Sequence, residues 1–284
     1  MELSGHDLPN QLIAITGFPN AGKTAILSAL QDSEVAASFS FVELPGVVML
    51  GRNTPEEEQV YDFLLGRDIV ALGDGPPFGV VAVVDASELS RQMYLAFQLI
   101  DLRLPFVLCL TGEAAAAQKG VVVDREKLAT LVGVEVISIE RDSDAIVKSI
   151  MNWRDTDVDK VVRKPVHWRP SMALADAYQL LDTKWIHKHL PLHTGARLVE
   201  GLRLLTVPKA VEEYDSHPAY KALLRYLDEA RGMLESRNEK WTTAEVIQRN
   251  KWITQALQSA VAKVDVNNEL TDGSSWWRSL FGKK

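Results

Sequence analysis

The chain of 284 residues is 46% hydrophobic and 24% charged, a composition that can bury a large core and fill more than one domain. Its formal net charge of −7 argues against nucleic acid as the main partner, because nucleic-acid binders usually carry a basic footprint. No run reaches the ~18 apolar residues of a membrane span, and Glu2, His6 and Asp7 stand where a secretory signal would be basic and then apolar, so a cytoplasmic location is expected.

The first apolar run, Leu12 to Thr16, reads as a buried strand, and Lys23 to Gln31 reads as a helix. Between them, Gly17-Phe18-Pro19-Asn20-Ala21-Gly22-Lys23-Thr24 fits the phosphate-loop pattern G-x-x-x-x-G-K-[ST]. Gly17 and Gly22 let the backbone curl until successive N–H groups, those of Asn20 and Ala21 among them, face one concavity at a helix N-terminus. Lys23 adds a compact charge for the β- and γ-phosphates, and Thr24 offers a hydroxyl to Mg²⁺.

The next strand, Phe39 to Leu44, leads into Glu43-Leu44-Pro45-Gly46, in the place where G domains carry D-x-x-G. There the carboxylate reaches the metal through water and the Gly amide senses the γ-phosphate, so Glu43 and Gly46 are candidates for those roles. Thr54-Pro55-Glu56-Glu57-Glu58 is a helix start, with Thr54 as N-cap, Pro55 in the first turn and Glu57 three after the cap; the helix runs to Leu65. Strands follow at Val80 to Asp85, Phe106 to Leu110 and Val134 to Ile139, with helices at Leu89 to Leu102, Arg125 to Val132 and Ser143 to Trp153. Alternation of this kind predicts an α/β fold with a mainly parallel sheet, a P-loop NTPase G domain. Asp85 is expected to cap its strand end, and the single Cys109 excludes an internal disulfide and reads as a buried structural thiol.

Beyond Arg154 no strand-like run is visible, and Ala173 to Tyr178, Thr194 to Leu205, Ala219 to Glu235 and Thr243 to Val264 carry helical spacing. The expected division is 1–154 for the G domain, 155–266 for an all-α helical domain and 267–284 for a C-terminal tail, with Pro165 and Pro170 marking the linker. His187, His189 and His193 sit around Pro191, which breaks a helix there; structural or surface histidines are the expectation, with a Zn²⁺ or iron site as the alternative. The tail ends in Trp276-Trp277 followed by Leu280, Phe281, Lys283 and Lys284, read as an exposed tail with membrane-surface or partner docking as the alternative.

The pairing of Gly17 to Thr24 with Leu44-Pro45-Gly46 resembles the cytosolic G domain of ferrous iron transport protein B, FeoB. Val83-Val84-Asp85-Ala86-Ser87, the helix from Arg91 to Leu99, Pro105 before the next strand, and Lys119-Gly120-Val121 with Asp124 extend the likeness. The resemblance implies GTP or GDP with Mg²⁺ as ligands, a small helical domain behind the G domain, and a link to ferrous iron uptake. It further implies a place at the inner face of the membrane, with a membrane iron transporter or a second copy of the chain as partner.

Three departures from the G-domain pattern bear on chemistry. Residues 25 to 42 contain no Thr to close over Mg²⁺ and the γ-phosphate, and only 46 − 24 = 22 positions separate Thr24 from Gly46, so the first switch is expected to be short. The guanine-reading motif N-K-x-D is replaced by Thr111-Gly112-Glu113-Ala114. With Ala114 where the carboxylate belongs, an unmatched base edge costs roughly 1–3 kcal/mol; Thr111 and Glu113 are the candidate base-binding residues, Glu113 by a one-residue shift of the loop. The last base-contacting motif aligns with Glu140-Arg141 and keeps none of its usual residues. Glu43 replaces Asp on a longer arm, and Val47, Val48 and Met49 offer no polar partner for a nucleophilic water. The expected function is a GTP-binding regulatory module with slow or absent hydrolysis and no confident catalytic residue; a non-enzymatic pseudo-GTPase interaction module and an NTPase of relaxed base specificity are the alternatives.

Overall fold

A computed structural model describes residues 11–67, 75–154 and 168–263. The tail around Trp276 and Trp277, and the linker segment containing Pro165, lie outside the described residues.

The first half alternates strand and helix: β1 (Gln11–Gly17), α1 (Lys23–Gln31), β2 (Phe39–Glu43), α2 (Pro55–Leu65), β3 (Gly79–Asp85), α3 (Leu89–Asp101), β4 (Phe106–Thr111), α4 (Glu113–Gln118), β5 (Val121–Val123), α5 (Arg125–Val132), β6 (Glu135–Ser138) and α6 (Asp144–Arg154). Five strands form one sheet in the order β2-β1-β3-β4-β6, every pair parallel. Helices cover both faces, which is why Ile13, Ala14, Ile15, Val80, Val81 and Val83 are all fully buried and the strands read as continuous apolar runs. The α/β class with a parallel sheet therefore holds. Leaving β2, the chain crosses to the opposite side of β1 to make β3. The crevice at the carboxyl ends of β1 and β3 is thus the topological switch point, where open α/β sheets bind ligands.

Local chemistry starts and stops these elements as expected. The Thr54 hydroxyl accepts from the Glu57 N–H at the start of α2. Glu57, however, accepts from the Asn53 backbone and side-chain nitrogens at 3.1 and 3.0 Å, so it braces the preceding loop. Asp85 accepts from the Ser87 N–H at 2.8 Å, capping the short turn after β3. Cys109 is fully buried in β4, and that burial pushes its thiol pKa up.

The second half is helical: α7 (Met172–Leu181), continued by a π turn (Asp182–Ile186) and a last turn to His189, then α8 (Thr194–Thr206), a 3₁₀ segment (Pro208–Tyr214), α9 (Tyr220–Ser236) and α10 (Trp241–Ala260). α7, α8 and α9 enclose their own core around Leu174, Trp185, Leu204, Leu223 and Leu234. α10 packs on α3 and α5. There Phe97 meets Trp252 edge-on at 4.7 Å, and buried Arg249 pairs with Asp101 at 2.7 Å and Glu245 at 2.5 Å.

Two expectations need correction. The last helix stops at Ala260 rather than Val264, and Val261–Lys263 forms a strand, β7, although no strand was expected beyond Arg154. It pairs antiparallel with β5, Val122 opposite Ala262, and the Asp124 N–H donates to the Ala260 carbonyl at 2.8 Å. The helical spacing of α10 runs on through the apolar Val261, so the pattern hides the turn into extended backbone. Among the described residues no helix is long and apolar enough to cross a membrane.

Candidate functional site

The octapeptide lies at the carboxyl end of β1, at the switch point. Asn20 adopts φ 62° and Gly22 φ 94°, left-handed conformations that fold the loop back onto itself, and the Ala21 N–H donates to the Phe18 carbonyl. A Cβ on Gly17 would lie 2.3 Å from the Val83 carbonyl oxygen, so only glycine lets β1 pass that close to β3. Gly22 is the N-cap of α1 and supplies no side-chain cap, which leaves the first N–H groups of the helix open for an anion.

Lys23 is 6% exposed, and its Nζ donates to the Phe18 carbonyl at 3.1 Å, so the ammonium rests on the rim of its own loop. Burial lowers its pKa, against the opposing pull of Glu43. The Thr24 hydroxyl donates to the Glu43 carboxylate at 3.1 Å, bringing the two expected metal ligands together at the end of β2. Past β2 the chain stays against β1: the Leu44 N–H donates to Ile15 at 2.9 Å and the Val47 N–H to Gly17 at 3.2 Å. Gly46 comes so near the phosphate loop that a Cβ there would sit 2.7 Å from the backbone of Pro19. The segment beyond is buried at Val47 and Leu50, and the Gln98 side chain on α3 accepts from the Leu50 N–H at 2.8 Å.

At the other end of the crevice, the Thr111 hydroxyl donates to the Ala21 carbonyl at 2.9 Å and so ties the end of β4 to the phosphate loop. Glu113 is 7% exposed; its carboxylate accepts from the Ser138 hydroxyl and lies 3.8 Å from Arg141 Nε. The contact of Thr111 with the phosphate loop, and that of Ser138 with Glu113, were not foreseen, because the first depends on the β1–β3–β4 register and the second on the β4–β6 register that sets Leu110 beside Ser138.

The histidines are placed apart. His189 stacks in a group with Trp185 and His217, ring centroids 5.2 Å apart, whereas His193 is the N-cap of α8 and its Nδ1 accepts from the Ala196 N–H. Among the described residues no group of three or more His, Cys, Asp and Glu side chains is gathered as a metal site.

A parallel sheet, a phosphate loop at its switch point and a carboxylate-bearing second loop define a P-loop G domain. Residues 33–153 match the family model described as ferrous iron transport protein B. The Fe(2+) transporter FeoB of Legionella pneumophila (strain Lens) is 27% identical, the match covering 67% of this chain and 28% of that protein. That of Staphylococcus aureus (strain COL) is 30% identical over 40% of this chain and 19% of its own length. A GDP-bound mutant of the S. thermophilus FeoB G-domain superposes with TM-score 0.72 at 20% identity, covering 89% of this chain and 100% of that one. The cytosolic domain of L. pneumophila FeoB does so with TM-score 0.64 at 21% identity, over 89% and 100%. Residues 33–153 thus match an FeoB N-terminal G domain, and the chain spans under a third of the length of these curated relatives.

Proposed function

We propose that the chain binds a guanine nucleotide through the loop from Gly17 to Thr24 and acts as the regulatory G domain of a ferrous iron transport system, on the cytoplasmic face of a membrane. The observation that carries this reading is the convergence of Lys23, the uncapped α1 N-terminus and the Thr24–Glu43 pair on one crevice. In that reading Gly17, Asn20, Ala21 and Gly22 cradle the β-phosphate, Lys23 exchanges the Phe18 carbonyl for a phosphate oxygen, and Gly46, pressed against Pro19, sits where a γ-phosphate ends. Thr24 and Glu43, a hydroxyl and a carboxylate, are hard oxygen donors of the kind Mg²⁺ takes. When bound, the ion neutralises charge between the β- and γ-phosphates. GTP and GDP are the ligands suggested by the relatives: the S. thermophilus neighbours are described as bound to GDP, GMPPNP, or GDP.AlF4- and K+. A membrane iron transporter, or a second copy of the chain, is the partner in keeping with the full-length relatives, and 1–154, 155–266 and 267–284 are the proposed divisions.

The pseudo-GTPase reading has an observation of its own. The segment after Gly46 presents buried Val47 and Leu50 where a water-positioning group would be needed, which supports slow or absent hydrolysis.

Calorimetric titration of the chain with GTP, GDP and ATP, with and without Mg²⁺, tests the proposal. Micromolar or tighter guanine-nucleotide binding that Lys23→Ala weakens at least a hundredfold is the expected result. Equal binding by parent and Lys23→Ala would remove the phosphate loop as the site.

A further inference from the structure

The base-reading carboxylate missing at Ala114 has a substitute after the neighbouring strand of the sheet. We propose that Glu140, on the turn after β6, reads the guanine edge in place of the carboxylate that the loop after β4 lacks. The proposal rests on nucleotide binding at the phosphate loop and extends it to the base.

Four observations carry it. The Thr111 hydroxyl holds the Ala21 carbonyl at 2.9 Å, so the loop Thr111-Gly112-Glu113-Ala114 lies directly beside the phosphate loop and faces whatever base projects from it. The parallel register pairs Leu110 with Ser138, and the Ile139 N–H donates to the Leu110 carbonyl at 3.1 Å, which delivers the next residue, Glu140, alongside that loop. The Glu140 carboxylate accepts from the Ala114 N–H at 3.1 Å, so a carboxylate stands at the very residue whose side chain is missing, and it stands there exposed. Glu113, the other acid of the loop, is buried, and its carboxylate is occupied by the Ser138 hydroxyl and neighboured by Arg141, which turns it away from solvent.

The chemistry matches. Guanine presents two adjacent donors, N1–H and the N2 amino group, and a carboxylate has two oxygens with four lone-pair sites, enough to accept both while one oxygen keeps the Ala114 N–H. Adenine offers no such pair of donors on that edge. The bidentate contact forms in a site closed by the bound nucleotide, where a charge-assisted hydrogen bond is stronger than on an open surface.

Titrations of the full chain with GDP, IDP, XDP and ADP, on the parent and on Glu140→Gln, Glu140→Ala and Glu113→Gln, test this. The parent should prefer GDP to IDP, which lacks the amino group. Glu140→Gln should bind GDP weaker by on the order of ten- to a hundredfold while gaining affinity for XDP, whose exocyclic C2 carbonyl oxygen accepts from the amide nitrogen. Glu113→Gln should keep the GDP to IDP ratio of the parent. If Glu140→Gln leaves that ratio unchanged, or if Glu140→Ala weakens all four nucleotides alike, Glu140 merely caps α4 and the proposal falls. A parent that binds the four diphosphates equally also overturns it while the phosphate-loop reading stands, and a parent that binds none overturns both.

Discussion

At the scale of single residues, the arrangement separates groups that grip from groups that only hold shape. Lys23 and Thr24 sit on the crevice with their polar atoms parked on Phe18 and Glu43, contacts a ligand can replace. His193 is the opposite case. Its Nδ1 caps α8 by accepting from the Ala196 N–H, and burial, helped by Arg197, lowers its pKa from 6.5 to about 4. In the unfolded chain the imidazole protonates near its ordinary value, so between pH 6.5 and 4 the unfolded state binds more protons and stability falls with acidification through that window. Urea midpoints at pH 7 and pH 5 should therefore drop more for the parent than for His193→Asn, which keeps a side-chain acceptor at the cap and does not titrate. An equal drop in both would show that this cap contributes nothing to the acid sensitivity.

At the scale of elements, the close approach of α8 to the end of α3 is a strong constraint. A Cβ on Gly195 would lie 1.8 Å from the Leu102 carbonyl oxygen, backbone that cannot swing aside. Gly195→Ala should cost stability at the upper end of the ~1–3 kcal/mol usual for overpacking, read as a lowered denaturation midpoint with the parent's m-value. How much of this was readable beforehand depends on where the information lies along the chain. The three central strands β1, β3 and β4 announce themselves as contiguous apolar runs such as Val80 to Val84, and the phosphate loop carries its chemistry within eight neighbouring residues. By contrast β5 and β7 are each three residues long and exist only because Val121–Val123 and Val261–Lys263 find each other across the fold. The one-turn helix cap that Glu140 provides to Ala114 was hidden for the same reason: the two residues meet through the β4–β6 register, which no local pattern encodes. The loop from Thr111 to Ala114 was located by position, yet the direction of the Glu113 side chain followed from Ser138, a partner on another strand.

At the scale of the whole molecule, one buried ionic cluster joins the loop after Gly46, α2 and the helical half. The Glu200 carboxylate on α8 is fully buried, accepts from Tyr61 on α2, from Tyr214 at 2.7 Å and from Arg203 at 3.0 and 3.1 Å, and lies 3.2 Å from Arg67. Arg203 continues to Glu213, which lies 3.4 Å from Arg52, and Arg52 in turn pairs with Asp62 and Glu58 on α2. Burial alone would raise the Glu200 pKa, but the charges of Arg203 and Arg67 with the hydrogen bonds outweigh it and hold it at about 2. Its contribution is therefore complete above the ordinary carboxyl range and is lost only as pH falls toward 2. Glu200→Gln leaves two buried guanidinium groups short of a counter-charge and should destabilise the fold by about 3–5 kcal/mol, measured by chemical denaturation at pH 7; a loss under ~1 kcal/mol, the size of a surface ion pair, would show that solvent already screens the cluster. The short β5–β7 ladder has a different reach. It sets Val261–Lys263, the stretch that follows α10, against Val121–Val123, which packs beside α4. A load applied along β7 therefore enters the protein through β5 beside α4, unzipping that ladder and the Asp124–Ala260 hydrogen bond before it strains α10.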